Sequence, residues 1–265
     1  LVFHLADHPS VNLPQVLPLL LERMRNEITR VTAVKTFALL ASQTQLDIKL
    51  TTVLQPTVAE LCTFLRKSNR PLRQASLTAL NTIISNHGGA LSDGDVSAAV
   101  TELSALIADS DLHVASLALG LGKAIATAKP SSMAEPLKEI ALPKALVLLQ
   151  SSLLQGVALR GVLAFLAELV GQRLAPLPFD ALMAQLLALP NQSSLNRHSL
   201  VALSQAVAAC CHRADAADAG KMISSFTAQL TAANGTSVLA LYCLGEIGRL
   251  LDLSSSQATL LPAIL

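Results

Sequence analysis

The chain has 265 residues, of which 52% are hydrophobic, 14% charged and 3% aromatic, and its formal net charge is +1. So apolar and weakly charged a chain buries enough surface to offset its ordering entropy, which excludes disorder. The balanced charge lacks the basic excess of a dedicated nucleic-acid binder.

Trp is absent and Tyr242 is the single tyrosine, so the hydrophobic content rests on Leu and Ala, a composition that favours helices. In chain order, the spacing of apolar residues predicts a helix over 12–24, followed across Arg25-Asn26 by a second over 27–41. Helices over 52–67 and 71–86 flank Ser68-Asn69-Arg70, and helices over 94–108 and 112–127 flank Asp109-Ser110-Asp111. The next pairs are 133–149 and 154–171 around Gln150-Ser151-Ser152, 178–189 and 195–212 around Asn191-Gln192-Ser193-Ser194, and 216–231 and 236–250 around Asn234-Gly235. Asn, Asp and Ser suit such turns because their side chains accept from the free N–H groups that open the following helix.

The second helices carry a repeated signature. Related small-and-apolar blocks begin at Ala33, Ala75, Ala115, Val157, Ser199 and Leu239, at intervals of 42, 40, 42, 42 and 40 residues. That period falls in the ~40–47-residue window of HEAT and armadillo repeats. Two helices per unit favour HEAT. The chain is therefore expected to be all-α: a single α-solenoid of about six two-helix HEAT repeats. These run over 12–42, 51–87, 93–129, 131–172, 177–213 and 215–252, with part of a seventh over 254–265. The second helices are apolar nearly all round, as in Val157 to Val170, and stacking between neighbouring units would cover them. Gly120, Gly122, Gly161, Gly245 and Gly248 are expected to let neighbouring helices approach closely.

No span of a membrane is expected. The longest uncharged stretch, between Lys221 and Glu246, is interrupted by Asn234-Gly235-Thr236-Ser237, and the run from Ala145 to Val170 by Gln150-Ser151-Ser152 and Arg160. The opening Leu1-Val2-Phe3-His4 has neither a basic leader nor an initiator Met, and the chain ends in an apolar run from Leu260 to Leu265, as expected of a piece of a longer protein. Cys62, Cys210, Cys211 and Cys243 match neither a disulfide framework nor a zinc motif. Buried, reduced thiols in a cytoplasmic and nuclear protein are the expectation.

Several segments resemble the cullin-associated and neddylation-dissociated family: Met24 to Lys35, Phe64 to Arg73, Asp109 to Ser116, Ser152 to Gly156, and Leu244 to Ser254. They follow the family's order and are spread along the chain from Met24 to Ser254. The resemblance implies a non-catalytic scaffold that wraps an unneddylated cullin–RING-box core and promotes substrate-receptor exchange in ubiquitin ligases. This chain would help grip that core through its concave face and turn edge. No cofactor, metal, nucleic acid or small-molecule substrate is implied. The alternative is a karyopherin-type nuclear transport receptor or another HEAT-repeat scaffold.

The candidate contact residues are basic. Arg23, Arg25 and Arg30 flank the first intra-unit turn, and Arg66, Lys67, Arg70 and Arg73 flank the second. Because equivalent turns stack side by side, these seven cations are expected to form one rim that would attract an acidic partner surface. Asp109 and Asp111 change the sign at the third turn. Other combinations carry less. His4 and His8 share a helical spacing but lack a third ligand before Pro9. Cys210 and Cys211 beside His212 point about 100° apart on a helix. Gly120-Leu121-Gly122-Lys123 lacks the first glycine and the final Ser or Thr of a phosphate loop. His113 and His198 open second helices, where surface or capping roles are expected. The sequons at Asn191 and Asn234 lie in turns and matter only on a secreted chain.

Overall fold

The computed structural model describes residues 12–43, 50–192, 196–231 and 237–264, and among them there is no strand. The helices are α1 (Leu13–Arg25), α2 (Arg30–Ser42), α3 (Thr51–Leu65), α4 (Arg70–His87), α5 (Asp93–Ser104) and α6 (Leu112–Ala128). A short α7 (Ala134–Pro136) runs through a π-helical turn, Leu137–Ala141, into α8 (Leu142–Leu149). They are followed by α9 (Gly156–Gly171), α10 (Phe179–Gln192), α11 (Arg197–Arg213), α12 (Ala216–Thr231), α13 (Val238–Gly248) and α14 (Gln257–Ile264). The chain is an all-α repeat solenoid, as its 40–42-residue period implies.

The two helices of a unit form two layers. The second helices α2, α4, α6, α9, α11 and α13 make one unbroken row, each packed on the next. The first helices follow outside them: α1 touches α3, α3 touches α5, α5 touches the π-helical turn, and α12 touches α14. A single hydrophobic core runs the length of the row from Leu17 to Leu260, with Phe37, Phe64, Phe165 and Phe226 fully buried.

Local chemistry sets the helix ends. The side chains of Asn69, Asp111, Asn196 and Ser237 accept the backbone N–H three residues on and so cap α4, α6, α11 and α13. Prolines inside helices fall only on first helices among the described residues: Pro18, Pro56, Pro190 and Pro262. The carbonyl that an internal proline deprives of a partner must reach water, and the outer layer has a face turned to solvent. The π-helical turn has a related cause. Pro143 has no N–H to give and its ring crowds the carbonyl of Glu139, so the backbone widens to an i→i+5 link, Leu142 N–H to Leu137 O.

Three sequence expectations are corrected. The helix expected over 154–171 begins at Gly156, because Leu154 plugs the core at 0% exposure from an irregular loop and Gly156 turns with φ +59°. The helix expected over 94–108 ends at Ser104, and Ile107 fills the core from the loop beyond it. Of the five glycines, Gly122 and Gly161 do bring helices together: a Cβ at 122 would stand 3.0 Å from the Phe165 ring, and one at 161 would stand 3.3 Å from Ser116 Oγ. Gly248 lies close to Leu253, whereas Gly120 and Gly245 face open space. His4, His8 and the turn residues Ser193, Ser194, Asn234 and Gly235 lie outside the described residues.

Candidate functional site

The first turn is tied by its own side chains. Ile28 N–H donates to Asn26 Oδ1 at 3.0 Å, and Thr29 Oγ1 donates to the Arg23 carbonyl at 2.8 Å. Arg30 folds back onto the end of α1, giving Nε to Met24 O at 3.0 Å and Nη2 to Arg25 O at 3.1 Å. Those carbonyls have no partner within the helix, so the guanidinium is a C-cap complementary to the helix dipole. Its plane also lies 5.1 Å from the centre of the Phe64 ring in the next unit.

The second turn reaches forward in the same way. Arg66 Nη2 donates to Glu102 Oε1 on α5, and Arg70 holds Asp111 with Nε and Nη2, the latter at 3.0 Å. Asp111 Oδ1 also accepts Val114 N–H at 3.1 Å, so one carboxylate caps α6 and anchors the preceding unit. The Arg70 hydrogen bonds hold the Asp111 carboxyl well below the usual carboxylate range, against the opposing effect of its partial burial. The hydrogen bond to Glu102 pushes Arg66, and those to Asp111 push Arg70, above the ordinary guanidinium range. Arg25 comes within 4.0 Å of Glu60.

The seven cations therefore divide. Arg66 is engaged with Glu102 of α5, Arg70 with Asp111 of the third turn, Arg25 lies near Glu60, Arg30 holds helix carbonyls, and Arg73 turns its Nε inward to a place with no hydrogen-bond partner. Arg23 and Lys67 remain exposed and form no ion pair among the described residues. The change of sign at Asp109 and Asp111 was visible in the sequence, but its meaning is a staple between units. Arg70 and Asp111 are 41 residues apart, one period, and that coincidence of separation and opposite charge is the signal that would have found the pair.

The staples continue along the row. Ser151 Oγ donates to Asp109 Oδ2 at 2.9 Å, Ser199 Oγ to Gln150 O at 3.1 Å, and Ser116 Oγ to Val157 O at 3.1 Å. His198 Nε2 lies 3.1 Å from Leu154 O. On the opposite edge Lys129 Nζ meets Asp93 at 2.7 Å. There sequence reasoning missed Glu168, only 9% exposed, which accepts from Thr127 Oγ1 of α6 at 3.0 Å and from Gln172 Nε2 at 2.6 Å. Arg213 of α11 stands 3.8 Å away, and Gly171 makes its room: a Cβ there would lie 2.5 Å from the guanidinium.

Charge is also uneven along the chain. Residues 1–92 hold nine Lys and Arg against five Asp and Glu, and residues 93–265 hold ten against thirteen. The near-zero net charge conceals a basic end and a weakly acidic remainder.

Gly120 to Lys123 lies inside α6, not at a helix start. All four cysteines are free and buried, and burial pushes the thiols of Cys62, Cys211 and Cys243 up to about 12 and that of Cys210 higher still. A thiol so raised is no nucleophile at neutral pH. Among the described residues no three His, Cys, Asp or Glu side chains could hold a metal ion, and no single helix is long and apolar enough to cross a membrane.

No protein-family model matches the chain. It is 38% identical over 260 residues to Cullin-associated NEDD8-dissociated protein 1 of Arabidopsis thaliana, covering 94% of this chain and 21% of that protein. The Drosophila melanogaster protein of the same name is 33% identical and is matched over 97% of this chain and 22% of its own length. Cullin-associated NEDD8-dissociated protein 2 of Mus musculus is 36% identical over 90% of this chain and 20% of its own. The chain thus spans about a fifth of the length of these curated relatives. Among solved structures, a designed armadillo repeat protein superposes with a TM-score of 0.54 at 14% identity, covering 87% of this chain and 99% of its own. An engineered protein gives 0.55 at 18% identity, over 88% and 98%. At such identities the likeness speaks for the fold alone.

Proposed function

This chain is a homologue of the cullin-associated NEDD8-dissociated proteins over the fifth of their length that it spans, and from that premise we propose that it is part of a non-catalytic scaffold gripping an unneddylated cullin–RING-box core. In this reading the parent protein promotes exchange of substrate receptors on ubiquitin ligases, and the stretch described here contributes a rigid, stapled length of solenoid to the grip. The observation that carries the reading is identity of 33–38% sustained over 90–97% of this chain with relatives named for cullin association. An all-helical repeat fold supports it, since stacked units offer a long surface on which many weak contacts add up. Four buried free thiols support a reducing compartment, the cytoplasm or nucleus.

The turn edge narrows the contact residues within this proposal. Arg66 and Arg70 already hold carboxylates, so they have less to offer a partner, whereas Arg23 and Lys67 are exposed cations at the basic end. A titration against purified cullin–RING-box core, unmodified and neddylated in parallel, tests the reading. Saturable binding that favours the unmodified core, weakens in high salt and drops roughly three- to tenfold in Arg23→Glu/Lys67→Glu is expected, since rim charges each contribute about 1 kcal/mol or less. The scaffold reading would fall if neither this chain nor a protein of its relatives' full length bound either core.

A further inference from the structure

Helices α2, α4 and α6 leave between them an open groove of about 570 Å³, within the roughly 300–1,000 Å³ of ligand sites. Its walls include Val31, Lys35 and Leu39 of α2, Gln74 and Thr78 of α4, and Leu117 of α6. The small side chains of Ala38 and Ala75 give it depth. Leu39 is 47% exposed, a large aliphatic side chain without cover.

Three features say what fits. The first is charge. Lys35 is exposed within this apolar lining and forms no ion pair among the described residues. Over residues 1–128, the units that build the groove, ten cations balance ten acids, and the unpaired ammonium of Lys35 is the positive charge of the lining that a carboxylate would meet. The second is shape, since small residues between larger aliphatic ones form a seat for an apolar side chain.

The third is hydrogen bonding. Thr78 Oγ1 donates to Gln74 O and Thr82 Oγ1 to Thr78 O, both at 3.0 Å. The two hydroxyls have thus committed their protons and present lone pairs to the groove, and Gln74 adds an amide that both donates and accepts. A helical ligand has satisfied its own backbone and gains nothing from such a wall. An extended backbone, whose N–H and C=O groups are free, does.

We propose that the α2–α4–α6 groove binds an extended acidic–apolar peptide segment of a partner protein, seating an aliphatic side chain between α2 and α4 and a carboxylate on Lys35. The site lies on the second-helix row rather than the turn edge, and it stands whether or not the cullin reading does.

The test is fluorescence anisotropy with a fluorescein-labelled synthetic decapeptide alternating Asp and Leu, beside one alternating Lys and Leu and one alternating Asp and Ser. Saturable binding of the Asp–Leu peptide alone is expected, weakened about tenfold or more by Lys35→Glu and abolished by Thr78→Trp, which fills the groove. Both substitutions fall at exposed positions, and unchanged circular dichroism and melting confirm that each variant is folded. Equal binding of the Lys–Leu peptide, or indifference to both substitutions, overturns the proposal. So does self-association of the chain that Thr78→Trp dissolves, because the occupant is then a second copy.

Discussion

A carboxylate taken out of water costs several kcal/mol unless its oxygens are bonded, and Glu168 meets that condition with partners from three successive second helices. Thr127 comes from α6, Gln172 follows on α9, and Arg213 approaches from α11 over Gly171. Removing the acid takes a partner from each, although Thr127 keeps the Lys123 carbonyl and Arg213 keeps water. Glu168→Ala is expected to lower unfolding stability by about 1–3 kcal/mol, read as a shift in the urea midpoint, while Glu168→Gln keeps part of the network and loses less. An Ala variant as stable as the parent would show that the cluster is decorative. Asp111 makes a different claim, about pH. Its folded carboxyl is held below its unfolded value, so its contribution is complete above the ordinary carboxylate range and is lost as pH falls through it. Asp111→Asn keeps a competent cap but removes the charge. Its urea midpoint is therefore expected to fall less steeply than that of the parent below about pH 4, and added salt is expected to shrink the difference because Arg70 is exposed. Parallel acid limbs for the two proteins would rule this out.

Among the elements, α10 is the least supported. It packs on α11, but toward α8 it leaves a cleft of about 470 Å³ bordered by Leu146, Val147, Ala184 and Ala188, with Val147 66% exposed. Local opening follows the density of buried contacts. Amide exchange in α10 is expected to run about tenfold or more faster than in α11, and equal protection would refute the idea that the outer layer is loosened there. Most helices were legible in the sequence because a 40–42-residue period, polar turns and capping residues all mark the same places. What escaped was irregular but buried backbone. Leu154 and Ile107 read as helix by hydropathy, yet they fill the core from loops, and burial alone does not distinguish the two. The π-helical turn escaped as well: the helix expected over 133–149 put Pro143 in its interior, and an internal proline signals a break or a kink without saying that the backbone widens. Here α8 continues directly from an upstream helix, so the proline falls inside a run and widens it.

For the whole molecule, the +1 net charge is an average of unlike ends, and reading it as a single number hid the basic third that carries the turn edge. The seven basic residues flanking the first two turns were legible in the sequence. Their division into staples and free cations was not, because it depends on which side chain of one turn meets which side chain of the next. The period supplies that information only once the stacking is known. Among the described residues the staples between units share one property, a reach of 36 to 49 residues: Arg66 to Glu102, Arg70 to Asp111, Ser151 to Asp109, Ser199 to Gln150. Among the described residues no strap joins distant units, so a pull along the row loads one seam after another. In an optical trap it is expected to lengthen as a spring and then ravel in steps of roughly 140 Å of contour, the extended length of about 41 residues. A single rip releasing the whole chain at once would mean that the units hold together far beyond their nearest neighbours.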